Sequence, residues 1–425
     1  MNKRQADHFV MEKLNRAFGS IDWLDTYPYC LVRNLPILCS DHGPILLDTE
    51  YRPPFKCRPF RFEWMWTSHQ DCARLVNESW NANLHTGSYA FCLTRKIDSI
   101  RKTFRQWNKT SFGRVEKTIQ GKQAKLRSIQ ERLKSIEDVK LEREVREQLE
   151  DLLLREEVLW AQKAKINWDI NGDKNTRYFQ AVVKKRRRSN RIIQIKNDND
   201  QWVTEPTDIE HCFQQYFHKL YEQPRNDPQD IVAQLTTLSL PTLSDFQAAQ
   251  LNLPISDEEI VLAVNQLGPL KTPGPNGIPA AFYQKFWSTV RMDIINMVKA
   301  FFHSGFMLKS LNHTFITLIP KVPNPEKVTQ FRPIALCNVT YKIISKILVN
   351  RLKPFMDSLI TPFQNAFIQG RQIIDNIILA QEFFEYLKKK KQGKWGFAAL
   401  KLDMNKAYDR INWNFFYCCA GKNGF

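Results

Sequence analysis

Between residues 115 and 165, Val115, Ile119, Leu126, Ile129, Leu133 and Ile136 recur at threes, fours and sevens. Val145, Leu149, Leu152 and Leu159 then do the same, with Glu, Lys and Arg filling the gaps. That period puts an apolar stripe on a helix, and a strand cannot use it. The stretch is expected to be an antiparallel helical hairpin or a coiled coil, and its stripe would also allow self-association. Helix is expected from about residue 68 to about residue 165. The run YRPPFKCRPFRFEWMW at 51–66 reads as an aromatic connector in which Pro53, Pro54 and Pro59 block regular helix.

Charge narrows the class of partner. The 425 residues carry 62 Lys+Arg against 44 Asp+Glu, a formal surplus of +18. Such a surplus favours a polyanion, with nucleic acid ahead of an acidic membrane surface. No apolar run approaches the roughly 18 residues of a membrane span, and the N-terminus lacks the apolar core of a signal peptide. Nine cysteines include no CxxC pair. Reduced thiols and an intracellular location, nucleus or cytoplasm, are expected.

Residues 156–196 place the basic run Lys184, Lys185, Arg186, Arg187 and Arg188 after the aromatic pair Tyr178 and Phe179. Cations beside aromatics suit backbone phosphates and base stacking. A nuclear localisation signal and an idle solvated cluster are the other readings. His211, Cys212 and His218 are zinc ligands by type, but without a second thiol pair they read as part of an aromatic helix. Residues 223–255 read as a linker punctuated by Pro224, Pro228, Pro241 and Pro254.

From Ser256 the sequence becomes denser. Ser256 and Glu259 form a capping box that opens a helix. GPLKTPGPNGIP follows, a loop with three glycines and four prolines. With Lys271 inside it, this loop either lies along a phosphate backbone or serves as a rigid turn. HTFITLIPKVPNPEKVTQFRPIAL reads as a β-hairpin with Lys321 on one arm and Arg332 on the other, a pair able to clamp a triphosphate. Lys342, Lys346, Arg351 and Lys353 fall on polar positions of the next helix. Gln364, Gly370, Arg371 and Asp375 head another, whose terminal lysines suit its C-terminal dipole. The short run FAALKL then reads as a half-buried strand presenting Asp403 at its end.

In order, the PGPNG loop, LIPK…FRPIAL, QNAFIQGR…DN and KLDMNKAYDR resemble the opening blocks of a reverse transcriptase of the non-LTR, LINE-type retrotransposon family, across roughly residues 255–425. The resemblance implies an RNA template, a DNA primer or target DNA, dNTP substrates and two Mg²⁺ ions. It makes Asp403 the first metal-binding aspartate of the palm, with the Met404 carbonyl as the adjoining contact. Lys321 and Arg332 become the residues holding the incoming nucleotide's phosphates. Tyr408 becomes the gate against a ribose 2′-OH, and Lys271, the basic run and Arg371 become nucleic-acid contacts. The family draws its other two aspartates from a downstream hairpin. Because this sequence ends at Phe425, an incomplete catalytic site is expected, and nucleic-acid binding without chemistry is the alternative.

Two further resemblances complete the organisation. SDHGPIL resembles the end of an apurinic/apyrimidinic-type endonuclease domain of the same elements, which makes His42 catalytic and Asp41 its support. Without the family's upstream metal motifs, no nuclease activity is expected of it. The arrangement EE-x-x-W…GD-x-NT-x-F…RR-x-N-x-I resembles the connector of plant non-LTR elements. The expected fold class is α+β and multidomain: an endonuclease remnant (1–50), a helical basic connector (51–222), a linker (223–255), and the fingers and first palm strand of a right-hand polymerase (256–425).

Overall fold

The computed structural model describes residues 17–27, 30–34, 44–50, 58–82, 85–113, 115–132, 135–165, 176–222, 233, 241–390, 396–402 and 411–422. The chain divides into two compact units, Met1–Pro59 and Phe60–Phe425. In the first, helix α1 (Ile21–Thr26) starts at Ser20, whose hydroxyl accepts the Trp23 N–H at 3.1 Å. Strands β1 (Leu31–Asn34) and β2 (Ile45–Asp48) pair antiparallel, with Leu31 opposite Asp48.

The second unit is mainly helical. Helices α2 (Asp71–Asn81) and α3 (Tyr89–Trp107) lead into α4 (Val115–Glu131) and α5 (Ile136–Ala164). α4 and α5 pack as the expected hairpin. Val115, Ile119, Ile129, Val145, Leu149 and Leu159 are all buried, so much of the stripe is satisfied within the chain. Ile136 departs from the stripe and is exposed. It is the first residue of α5, inside the Ser135–Asp138 capping box, where the helical phase starts anew.

Helix α6 (Thr176–Ser189) lays Phe179 and Val183 on Ala161 and Ala164 of α5. A small ribbon of β3 (Ile195–Lys196) and β4 (Trp202–Val203) precedes α7 (Pro206–Tyr221), the expected aromatic helix. Within the stretch read as a linker, α8 (Asp245–Leu251) forms, because Ser244 and Gln247 satisfy each other's backbone N–H groups in a capping box. Next come α9 (Asp257–Gln266), opened by the Ser256–Glu259 box, then α10 (Ala280–Lys285), α11 (Trp287–Ser304) and α12 (Lys309–Asn312). Strands β5 (Phe315–Pro320) and β6 (Phe331–Leu336) form the expected hairpin, followed by α13 (Val339–Leu352), α14 (Ile373–Lys389) and α15 (Trp413–Lys422).

The main core joins the early helices to the later ones. Phe62, from the aromatic connector, lies 5.2 Å from the Phe104 ring of α3 and 5.1 Å from the Phe282 ring of α10. Trp80 of α2 donates its indole N–H to Asp293 of α11 at 2.8 Å, and Lys96 of α3 pairs with the same carboxylate. Among the described residues of the connector, Phe60, Phe62 and Trp66 are therefore core.

One expectation is corrected. Residues 396–402, which contain FAALKL, form no strand, and Leu400 and Leu402 are exposed. A strand needs a ladder partner for its backbone groups, and among the described residues none lies beside this run. The described sheets are three two-stranded ribbons, so a palm sheet is not among them.

Candidate nucleic-acid and nucleotide site

The β5–β6 hairpin pairs Ile319 with Arg332 and Pro320 with Phe331. Directly opposed residues share a face, as do residues two apart along one strand. Phe315, Thr317, Ile319, Arg332, Ile334 and Leu336 therefore occupy one face, and the register carries Lys321 onto it. Leu318, Pro320, Phe331 and Pro333 occupy the other. Phe331 and Leu318 pack on Ile195, Ile209, Phe213 and Val328, a second core that anchors the hairpin to β3 and α7. The first face stays open, with Phe315, Ile319 and Ile334 all exposed.

The connection between the strands is also held. Lys196 N–H donates to the Glu326 carbonyl at 2.7 Å, and Lys196–Glu326 and Lys327–Asp200 ion pairs each close at 2.8 Å. Lys321 N–H donates to Gln330 O at 2.8 Å, and its ammonium reaches Thr329 O at 3.2 Å. Arg332 is exposed and its guanidinium has no hydrogen-bond or ion-pair partner among the described residues. A fixed hairpin thus presents an ammonium and a free guanidinium on one face, beside half-open apolar side chains. That arrangement suits a phosphate chain attached to a flat base.

At the base of the hairpin, Asn338 organises the Gly/Pro loop. Its Oδ1 accepts the Asn276 N–H at 3.1 Å. Its Nδ2 lies within reach of three carbonyls, Ser310 at 3.2 Å, Leu311 at 3.0 Å and His313 at 3.3 Å. Asn338 is 1% exposed, so this amide has no water to fall back on. Gly274 is required here, since a Cβ would come within 2.5 Å of the Asn338 nitrogen. Gly277 takes φ +76°, and a Cβ there would fall 2.1 Å from the Phe60 carbonyl oxygen. The loop is a rigid turn by this geometry, and it leaves Lys271 exposed at its edge. Lys342 of α13 donates to Thr272 O at 3.2 Å, and partial burial pushes its ammonium below the usual lysine range.

The remaining sequence candidates fall in different places. In the basic run Lys185, Arg186 and Arg187 are exposed, while Lys184 and Arg188 are half-buried, so the five do not share one open face. Arg371 turns onto the chain itself: its guanidinium donates to Thr361 O at 2.6 Å, Gln364 O at 2.8 Å and Asp357 Oδ1 at 3.0 Å. Arg351, read as polar-face, forks onto Glu259 with two bonds of 2.8 Å. Asp403, Met404, Tyr408, Asp41 and His42 lie outside the described residues. Among the described residues no three His, Cys, Asp or Glu side chains gather as a metal-ligand cluster. Sequence reasoning missed Asn338, although an Asn just before an apolar helical run is a cap signal that could have marked it.

Residues 319–422 match the reverse transcriptase (RNA-dependent DNA polymerase) family, about a quarter of the chain. A curated relative, the Transposon TX1 uncharacterized 149 kDa protein of Xenopus laevis, is 24% identical over 415 residues. The alignment covers 95% of this chain and 31% of the relative, so the chain spans about a third of that protein's length. The C-terminal quarter of the chain thus resembles a reverse transcriptase, and nearly the whole chain resembles part of a transposon protein.

Proposed function

We propose that this chain contributes the fingers, and the first metal-binding aspartate, of an RNA-directed DNA polymerase that copies an RNA template from a DNA primer. The observation carrying this reading is the open hairpin face bearing Lys321 and Arg332, inside the segment that matches the reverse transcriptase family. On that face Arg332 offers a two-pronged donor to a phosphate and Lys321 a compact charge. Their partners would be the phosphates of an incoming dNTP, and the hairpin's second core holds both at fixed spacing.

Reverse transcription in this family depends on divalent metal, which activates the primer 3′-OH and stabilises the departing pyrophosphate when bound. Asp403 and the Met404 carbonyl are the proposed contributors from this chain, with Mg²⁺ as the ion. Two ions need more carboxylates than one aspartate supplies, so Asp403 is proposed only as part of the ligand set. Tyr408 is proposed as the sugar gate, and residues 1–50 as the end of an endonuclease domain of the kind found in plant elements. Action in the nucleus or cytoplasm follows from the template.

The test is retention of a labelled dNTP on the chain bound to an RNA template–DNA primer hybrid. Arg332→Ala is expected to weaken retention about tenfold, the scale of one charge-assisted contact. Unchanged retention in both Arg332→Ala and Lys321→Ala would overturn the assignment. A second reading, nucleic-acid binding without chemistry, is favoured by the +18 surplus. It predicts that Asp403→Ala changes neither hybrid affinity nor metal-dependent dNTP retention.

A further inference from the structure

Lys165 ends α5 in the left-handed region, at φ 53° and ψ 39°. Glycine or asparagine takes this conformation at helix ends more easily than lysine does. Around its ammonium stand Arg61, Arg186, Lys271 and Lys342. Arg61 and Lys165 come from segments far apart in the sequence, and only the fold brings them into one cluster.

The backbone explains the meeting. Gln162, in the last turn of α5, donates to Phe62 O at 3.1 Å and accepts from Trp64 N–H at 2.8 Å, which brings Arg61 to the end of that helix. Phe62 N–H donates to Gly277 O at 2.9 Å and draws the Gly/Pro loop to the same edge. Arg186 donates to Ala164 O at 3.0 Å, next to Lys165. Lys342 reaches Thr272 O, next to Lys271.

Arg61, Lys165, Arg186 and Lys271 are exposed and Lys342 is half-buried. None of the five forms an ion pair with a carboxylate among the described residues. Partial burial first, and then the four neighbouring cations, hold the Lys165 ammonium below the usual lysine range. Like charges gathered without a counter-charge oppose the free fold, and a left-handed lysine adds local strain. Both costs persist at a solvent-accessible edge where neutral side chains would fit, which points to an anionic ligand.

We infer that Arg61, Lys165, Arg186, Lys271 and Lys342 form one binding site for consecutive phosphates of a nucleic-acid strand, built jointly by the helical connector and the Gly/Pro loop. The inference rests on the nucleic-acid reading above and adds a site that the hairpin face does not contain. Five cations from separate segments along one edge exceed what a single phosphate can use, so a strand is the fitting occupant. The connector then takes part in holding nucleic acid and does more than tether the hairpin.

The test uses the whole chain and a fluorescein-labelled single-stranded RNA, with affinity measured by anisotropy over a series of salt concentrations. The cluster variant combines Lys165→Gly with Lys342→Gln, and the control combines Lys125→Gln with Lys140→Gln on the exposed face of the α4–α5 hairpin. The cluster variant is expected to lose about tenfold in affinity at low salt and to flatten the log–log salt slope by about 1.4, roughly 0.7 for each contact removed. The control has the same net charge and should keep the parent slope. Glycine suits the left-handed position, so Lys165→Gly alone should keep or raise the thermal midpoint while weakening binding.

Equal losses in the cluster and control variants would overturn the site and leave the polymerase reading standing. Displacement of the RNA by inorganic phosphate at matched ionic strength would overturn the strand as occupant. Failure of the parent chain to bind RNA at all would remove both the site and the reading it rests on.

Discussion

The backbone N–H of Asn276 donates to Oδ1 of Asn338 across 62 positions of sequence, and the same Asn338 side chain donates to the turn ahead of β5. One buried amide therefore fixes the Gly/Pro loop to the base of the hairpin. Asn338→Ala would orphan several enclosed backbone groups. It is expected to lower stability by about 3 kcal/mol, read from the urea midpoint. Asn338→Asp keeps an acceptor for Asn276 but sets a carboxylate against three carbonyls, and it should be at least as damaging.

Two glycines with positive φ should behave differently. Gly277→Ala forces a methyl into the Phe60 carbonyl and should cost more than about 3 kcal/mol. Gly305, at φ +68°, has nothing within 4 Å of a built Cβ. Gly305→Ala should cost only about 1 kcal/mol, the conformational penalty alone. Thermal melts of the two variants check the contrast.

The Tyr283 hydroxyl and the Asn276 Nδ2 are enclosed without a well-formed hydrogen bond. Burial pushes the Tyr283 phenol above its ordinary range. Tyr283→Phe removes an unsatisfied polar atom and keeps the ring. It should leave stability within about 0.5 kcal/mol of the parent or raise it, as measured by urea unfolding.

Acid should act through Glu259. The hydrogen bonds from Arg351 hold its carboxyl below the ordinary carboxylate range. Because the folded pKa is depressed, the contribution is fully present above the unfolded value of 4.5 and is lost as pH falls through the lower, folded one. Glu259→Gln should flatten that acid limb in pH-dependent melts. Arg351→Lys should not restore the parent profile, since lysine cannot fork onto the carboxylate while also bonding the carbonyls of Leu251 and Pro254.

Local chemistry was readable where short-range rules decide it. Ser256 with Glu259 starts a helix, the period of 115–159 gives the α4–α5 hairpin, and LIPK…FRPIAL gives β5–β6. Long-range partnerships were not readable. Phe62 reads as part of a proline-rich connector because nothing near it reveals Phe104 or Phe282. Arg351 reads as a surface cation because the Glu259 carboxylate and the Leu251 carbonyl that take its guanidinium lie far upstream in the sequence. FAALKL reads as a strand because its alternation is right, yet a strand also needs a neighbour to pair with. Arg61 and Lys165 gave no signal, since their shared cluster joins segments far apart in the sequence.

The measurement closest to the central claim is photocrosslinking of an RNA template–DNA primer hybrid, with a photoreactive base at the primer terminus and mass spectrometry of the joined peptides. A reverse transcriptase fingers assignment predicts crosslinks within residues 268–279 and 315–336, strengthened by the matching dNTP and lost in high salt. Crosslinks confined to the α4–α5 hairpin, or none above a control with unlabelled hybrid, would contradict it.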